Sequence, residues 1–166
     1  QVDKDDMYDY AIQVANGMEH LSVEHRIVHR DLAARNVLVK RVKDVFVCKV
    51  SDFGLAQKVT NLEKISNAAG RYLYFAPECF SDIYLPTSDV FSAGIVFYRM
   101  LTGKSPWELE LTNFNDFSEV TKSIIISRRK KPLAPSFFNN EISKDIDKVV
   151  LTSLELNIEN RYKKWY

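Results

Sequence analysis

The chain has 166 residues, 46% of them hydrophobic and 27% charged, and its formal net charge is +1. That length and composition suit one folded domain with a sizeable core and exclude a disordered chain. The near-neutral charge offers no field for gathering nucleic acid or an anionic membrane, and no run of about 20 apolar residues could cross a bilayer within this stretch. From Asp3 to about Glu24, the apolar residues Met7, Ala11, Val14, Met18 and Leu21 recur in steps of four and three, which predicts one helix. Acidic Asp3, Asp5 and Asp6 suit its start. His20, His25 and the tyrosines of this helix read as packing or surface residues.

The stretch "IVHRDLAARNVLV", Ile27–Val39, follows. A polar cluster bracketed by β-prone residues fits neither a buried strand nor an amphipathic helix. It reads as a loop gripped by core on both sides, the usual way of presenting catalytic groups. Val37–Val39 and Val45–Val50 predict short strands around the polar turn "KRVKD". From Asp52 to Phe75 the pattern is that of a long loop. A helix is expected from near Thr87 or Ser88, after Pro86, to Gly103; its segment "VFSAGIVFYRML" is apolar nearly all round and belongs in mid-core. Further helices are expected around Phe117–Ile126 and Ile142–Leu154, the latter packing Ile146, Val149, Val150 and Leu154 on one face. The basic run "SRRKKP", Ser127–Pro132, reads as a solvated loop, with phosphate or acidic-peptide contact as the lesser alternative. The predicted fold class is mainly α with a small β-hairpin.

Cys48 and Cys79 have neither metal-ligand spacing nor a partner framework, which favours a reduced, cytoplasmic setting. The chain opens on Gln1 rather than Met and reads as a piece of something longer.

Three motifs occur in order: His29-Arg30-Asp31-Leu32 with Asn36, then Asp52-Phe53-Gly54, then Ala76-Pro77-Glu78. Together they resemble the protein-kinase family. The resemblance implies a kinase-like lower (C-terminal) lobe over residues 1–166, with ATP and Mg²⁺ as cofactors. It implies that Asp31 accepts the proton of the acceptor hydroxyl, while Asn36 and Asp52 hold magnesium on the ATP phosphates. Oxygen ligands of this kind suit that ion. It further implies that Leu38 floors the adenine site and that His29 and Phe53 couple the catalytic and metal-binding loops, the latter ending in Gly54. Asp89 would accept hydrogen bonds from the catalytic-loop backbone, and Glu78 and Arg161 would form a partly buried ion pair.

"HRDLAARN" has Ala33 where serine/threonine kinases usually carry Lys, and Arg35 two positions later. This resembles the tyrosine-kinase loop, as do "ANGMEHL" and "SDFGLA", so the implied acceptor is a tyrosine hydroxyl on a protein. Departures from the family pattern are also present. No G-x-G-x-x-G loop and no V-A-I-K lysine occur in the chain, so the upper lobe (N-lobe) is expected as a missing partner, and the fragment alone is expected to be inactive. Lys64 stands near the usual autophosphorylated tyrosine, leaving Arg30 without its usual phosphate; Thr60 and Ser66 are weak substitutes. Tyr74 and Phe91 stand where tryptophans are usual, and Tyr162 replaces a proline. The parent is expected to be cytoplasmic or the intracellular part of a membrane receptor. The alternative reading is a kinase-like interaction module without phosphoryl transfer.

Overall fold

Tyr10, Val14 and Met18, at four-residue steps, form the buried stripe of the first helix, α1 (Lys4–Glu19). The computed structural model describes residues 4–59, 72–109 and 116–165. Met7 and Ala11 are only half-buried, so the packed face is turned slightly from the expected one, toward Tyr10. The α-helix also ends before Glu24, because His20–Glu24 widen into a π-helical turn.

Among the described residues, four short strands follow in two antiparallel pairs. β1 (Ile27–Val28) pairs with β4 (Gln57–Lys58), and β2 (Val37–Val42) with β3 (Val45–Val50). The hairpin is longer at its tip than the sequence suggests. Lys40–Val42 stay in the ladder, and the reversal is confined to Lys43 and Asp44, with Lys43 in the left-handed region at φ 56°. β4 puts order into part of the stretch read as loop. Thr60, Lys64, Ser66 and Gly70 lie outside the described residues.

The apolar segment after Pro86 is α2 (Pro86–Thr102), buried along most of its length as expected, and it ends on Gly103 at φ 68°. It packs on α4 (Lys144–Ser153) through Gly94, where a Cβ would come within 2.9 Å of the Ser153 Cβ. Glycine is the residue that lets these backbones approach. Val149 of α4 is exposed rather than packed, at the rim of an apolar groove between α1, α2 and α4. α3 (Phe117–Ser127) begins at Asp116, whose Oδ1 accepts from the Ser118 and Glu119 amides.

The basic run after α3 needs correction. Arg129, Lys130 and Lys131 are solvated as expected, but Arg128 is buried. It continues the stripe Val120, Ile124, Arg128, so helix geometry turns it inward. The architecture is mainly α with one small hairpin.

Candidate active site

The catalytic loop is pinned by apolar residues: Val28 ahead of it and Leu32 and Ala33 within it are fully buried. Between them the backbone makes a sharp turn, with Arg30 in the left-handed region at φ 67°. A non-glycine residue is held there at a cost of about 1–3 kcal/mol, so something must over-determine it. Asp89, in the first turn of α2, does so. Its Oδ2 accepts the His29 amide at 2.7 Å and its Oδ1 the Arg30 amide at 3.0 Å. Burial pushes the Asp89 carboxyl up to about 7, against the downward pull of those amides and of Arg30.

His29 ties this loop to the next. Its Nδ1 lies 3.3 Å from the Asp31 amide and its Nε2 3.1 Å from the Ser51 carbonyl. One neutral tautomer serves both, with Nε2–H donating to Ser51 and Nδ1 accepting from Asp31. Burial lowers the His29 pKa and outweighs the Ser51 hydrogen bond and the Asp31 and Asp52 carboxylates, which raise it. Both carboxylates therefore act on this one ring. Ser51 completes the tie, its amide and hydroxyl reaching the Asn36 carbonyl at 2.8 and 3.1 Å.

Asp31 is the centre of a tight cluster. Arg35 Nη2 donates to its Oδ1 at 2.9 Å and its Oδ2 at 3.1 Å. Asn36 Nδ2 donates to the Asp31 carbonyl at 2.7 Å and to Oδ2 at 3.1 Å. Engaging that nitrogen orients the Asn36 amide and leaves Oδ1 as its ligand atom. Asp52 follows Ser51 with a left-handed backbone at φ 64°, and its side chain is exposed. A Cβ at Gly54 would meet Asp52 Oδ1 only at ordinary contact distance, 3.4 Å. Phe53 lies against His29, with ring centroids 5.2 Å apart.

A second buried polar group anchors Ala76-Pro77-Glu78. Arg161 donates to Glu78 Oε1 at 2.7 Å and Oε2 at 3.3 Å, and to the Thr87 and Glu155 carbonyls at 2.9 and 3.0 Å. Ser88 Oγ adds a bond to Glu78 at 2.7 Å. Burial raises the Glu78 pKa, but the Arg161 and Ser88 hydrogen bonds lower it further, and the carboxyl ends below its ordinary value.

Arg128 is the residue that sequence reasoning missed. It donates to the Phe75 and Leu73 carbonyls at 2.5 and 3.2 Å, just before Ala76. Its guanidinium lies 4.9 Å from the Phe91 ring centre and 5.3 Å from that of Trp107. Burial brings its pKa down to about 9, which still leaves it charged at neutral pH. The spacing from Val120 and Ile124 was the signal that could have found it. Phe91 is fully buried and stacks on Trp107. Tyr74 is buried, and its carbonyl accepts the Ser92 hydroxyl at 2.8 Å. Arg30 sits over the Tyr84 ring and donates to Gln57 Oε1 at 2.5 Å.

The structure thus gathers His29, Asp31, Arg35, Asn36, Asp52, Phe53 and Asp89 around one turn. Leu38 stands apart on β2, exposed to solvent. Cys48 and Cys79 are buried and free of disulfide, with the Cys79 thiol pushed up to about 12 by burial. No described helix is long and apolar enough to cross a membrane.

The chain belongs to the protein kinase family, whose protein kinase domain model matches residues 1–164. It is 42% identical over 105 residues to fibroblast growth factor receptor 2 of Dugesia japonica, covering 61% of this chain and 11% of that protein. It is 40% identical over 124 residues to tyrosine-protein kinase Srms of Mus musculus, covering 72% of this chain and 24% of that protein. It is also 33% identical over 156 residues to serine/threonine-protein kinase PknB of Mycobacterium leprae, covering 90% of this chain and 23% of that protein. The chain therefore spans about a quarter or less of the length of these relatives.

Proposed function

We propose that the chain is the lower lobe of a protein tyrosine kinase catalytic domain, which transfers the γ-phosphoryl group of ATP to a tyrosine hydroxyl of a protein substrate. The Asp31 cluster carries this reading. A buried carboxylate fixed by Arg35 and Asn36 stands one tautomer-locked histidine away from the loop bearing Asp52. Asp31 aligns the acceptor hydroxyl and takes its proton as the oxygen attacks phosphorus. Arg35 balances the Asp31 charge, and an incoming hydroxyl must share the Asp31 oxygens with it.

The donor set fits magnesium. Asn36 Oδ1 and the exposed Asp52 carboxylate are hard oxygen ligands, and Mg²⁺ favours a few of these together with water and phosphate. When bound, the ion would neutralise charge on the phosphate oxygens. The Asp89 and His29 contacts keep Asp31 and Asp52 in place meanwhile.

Ala33 and Arg35 favour tyrosine. The buried methyl of Ala33 brings no cation two residues beyond Asp31, and the guanidinium enters from four residues on. The exposed residues Leu38, Val42 and Val45 on one face of the hairpin support a further lobe resting there, and this part of the reading makes the isolated chain inactive. The parent is read as acting in the cytoplasm, or on the cytoplasmic side as part of a receptor.

The test is an Mg-ATP assay on tyrosine, serine and threonine peptides, using the chain joined to a segment with a glycine-rich loop and strand lysine. Tyrosine labelling is expected, and Asp31→Asn should lower kcat by about 10²–10⁴-fold, the usual contribution of a positioned base. Equal turnover by Asp31→Asn would remove it from this role. Absence of any transfer would favour the interaction-module reading, and labelling by the chain alone would overturn its predicted inactivity.

A further inference from the structure

The turn leading from α1 toward the catalytic loop carries three side chains that phosphoryl transfer does not use: His20, Glu24 and His25. In a regular α-helix, residues five apart are about 140° apart around the axis and cannot meet. Here His20–Glu24 form a π-helical turn, whose i to i+5 pairing brings positions 20 and 25 onto one side. The two rings are T-shaped at a centroid separation of 4.6 Å, with their Nε2 atoms 3.1 Å apart.

Glu24 decides which atoms face each other. Its Oε2 lies 3.0 Å from His20 Nδ1. A proton on Nδ1 satisfies that contact and leaves the Nε2 lone pair aimed at His25. Two imidazole ligands at about 2.0–2.1 Å on a tetrahedral zinc ion stand roughly 3.3 Å from each other. The 3.1 Å separation is close to that value. A carboxylate on the far nitrogen of a metal-bound histidine is the customary outer partner.

We propose that His20 and His25 form a binding site for a divalent transition metal of the zinc class, with Glu24 orienting His20 and water completing the shell. Imidazole suits zinc, copper or nickel and does not suit magnesium, so this site is chemically separate from the Asn36–Asp52 oxygens. Its place in the chain gives it consequence. Arg26, next after His25, is held left-handed at φ 51° with its carbonyl bonded to the Val59 amide at 2.9 Å. Ile27 and Val28 then lead directly into His29. Metal binding would fasten the end of α1 to the strand that enters the catalytic loop.

The test titrates ZnCl₂ into the 166-residue chain under excess Mg²⁺, by calorimetry, alongside His20→Ala, His25→Ala, the double variant and Glu24→Gln. All three positions are exposed, and circular dichroism checks that the fold survives. One zinc per chain is expected, with at least about a tenfold loss of affinity in either single histidine variant and complete loss in the double. Glu24→Gln should lose about 10–100-fold, as outer-shell substitutions do. A second reading comes from imidazole ¹⁵N resonances of the wild-type chain, where zinc should shift His20 and His25 and leave His29 in place. No zinc uptake by the wild type, undiminished uptake by the double variant, or a shift at His29 alone would each overturn the site.

Discussion

The catalytic loop and the hairpin that follows it are neighbours in the chain, yet they invert the usual rule of polar outside and apolar inside. His29, Arg30, Asp31 and Asn36 are 0, 6, 5 and 4% exposed, whereas Leu38, Val39, Val42 and Val45 are 56, 49, 47 and 65% exposed. Buried polar groups survive only where each finds a partner, and here Asp89, Ser51, Arg35 and Gln57 supply them. One face of the hairpin packs on α1 through Cys48, Val50 and the Tyr10–Phe46 ring contact, while Leu38, Val42 and Val45 on its other face meet water. The loop is therefore specified from within this chain, whereas no described residue covers the outer face of the hairpin.

Breaking the polar anchors should do the most damage. Arg161→Ala strands Glu78 and should destabilise the fold by about 3–5 kcal/mol, read from urea midpoints, because an uncompensated buried charge is left behind. The same pair sets an acid limit. The Glu78 carboxyl is held below its ordinary 4.5, so its contribution is present above that pH and is lost as pH falls through the lowered value. Glu78→Gln should flatten stability over that acid window, and an unchanged pH profile would count against the pairing.

Asp89→Asn should come next. One of the His29 and Arg30 amides then faces an NH₂ group instead of an oxygen, at a cost of about 1–3 kcal/mol. Hydrogen exchange at those amides should quicken even where the rest of the chain stays protected. Leu38→Ser and Val45→Thr on the hairpin should shift stability by less than about 0.5 kcal/mol, in keeping with exposed positions. A loss matching that of Asp89→Asn would show that the hairpin face is packed in solution and would undo the contrast.

How much of this was legible in the sequence follows from where each interaction is local. Asp31, Arg35 and Asn36 sit within six residues, so one octapeptide displays the whole cluster; an all-round apolar run between Pro86 and Gly103 announced α2, and a one-faced apolar period announced α4. Asp89 and Arg161 contact partners 60 and 83 residues away, and only their register with the other motifs pointed to them. Arg128 was hidden by its neighbours: three exposed cations beside it gave the run a solvated look, though its helical position turned it inward. The π-helical turn was missed because it closes the helix, and no apolar repeat continues beyond it to reveal the shift in phase. Val149 matched the apolar period but found no neighbour to cover it.

The bond from Asp89 to the His29 amide has a consequence for biosynthesis. The two residues are 60 positions apart, and the loop is made first. At roughly 5–20 residues per second, a ribosome adds the intervening stretch in about 3–12 s, during which the His-Arg-Asp turn has no clasp. A nascent chain halted within that interval would carry every letter of the motif without the carboxylate that holds the His29 and Arg30 amides. The clasp on the loop is complete only once the buried helix has been delivered.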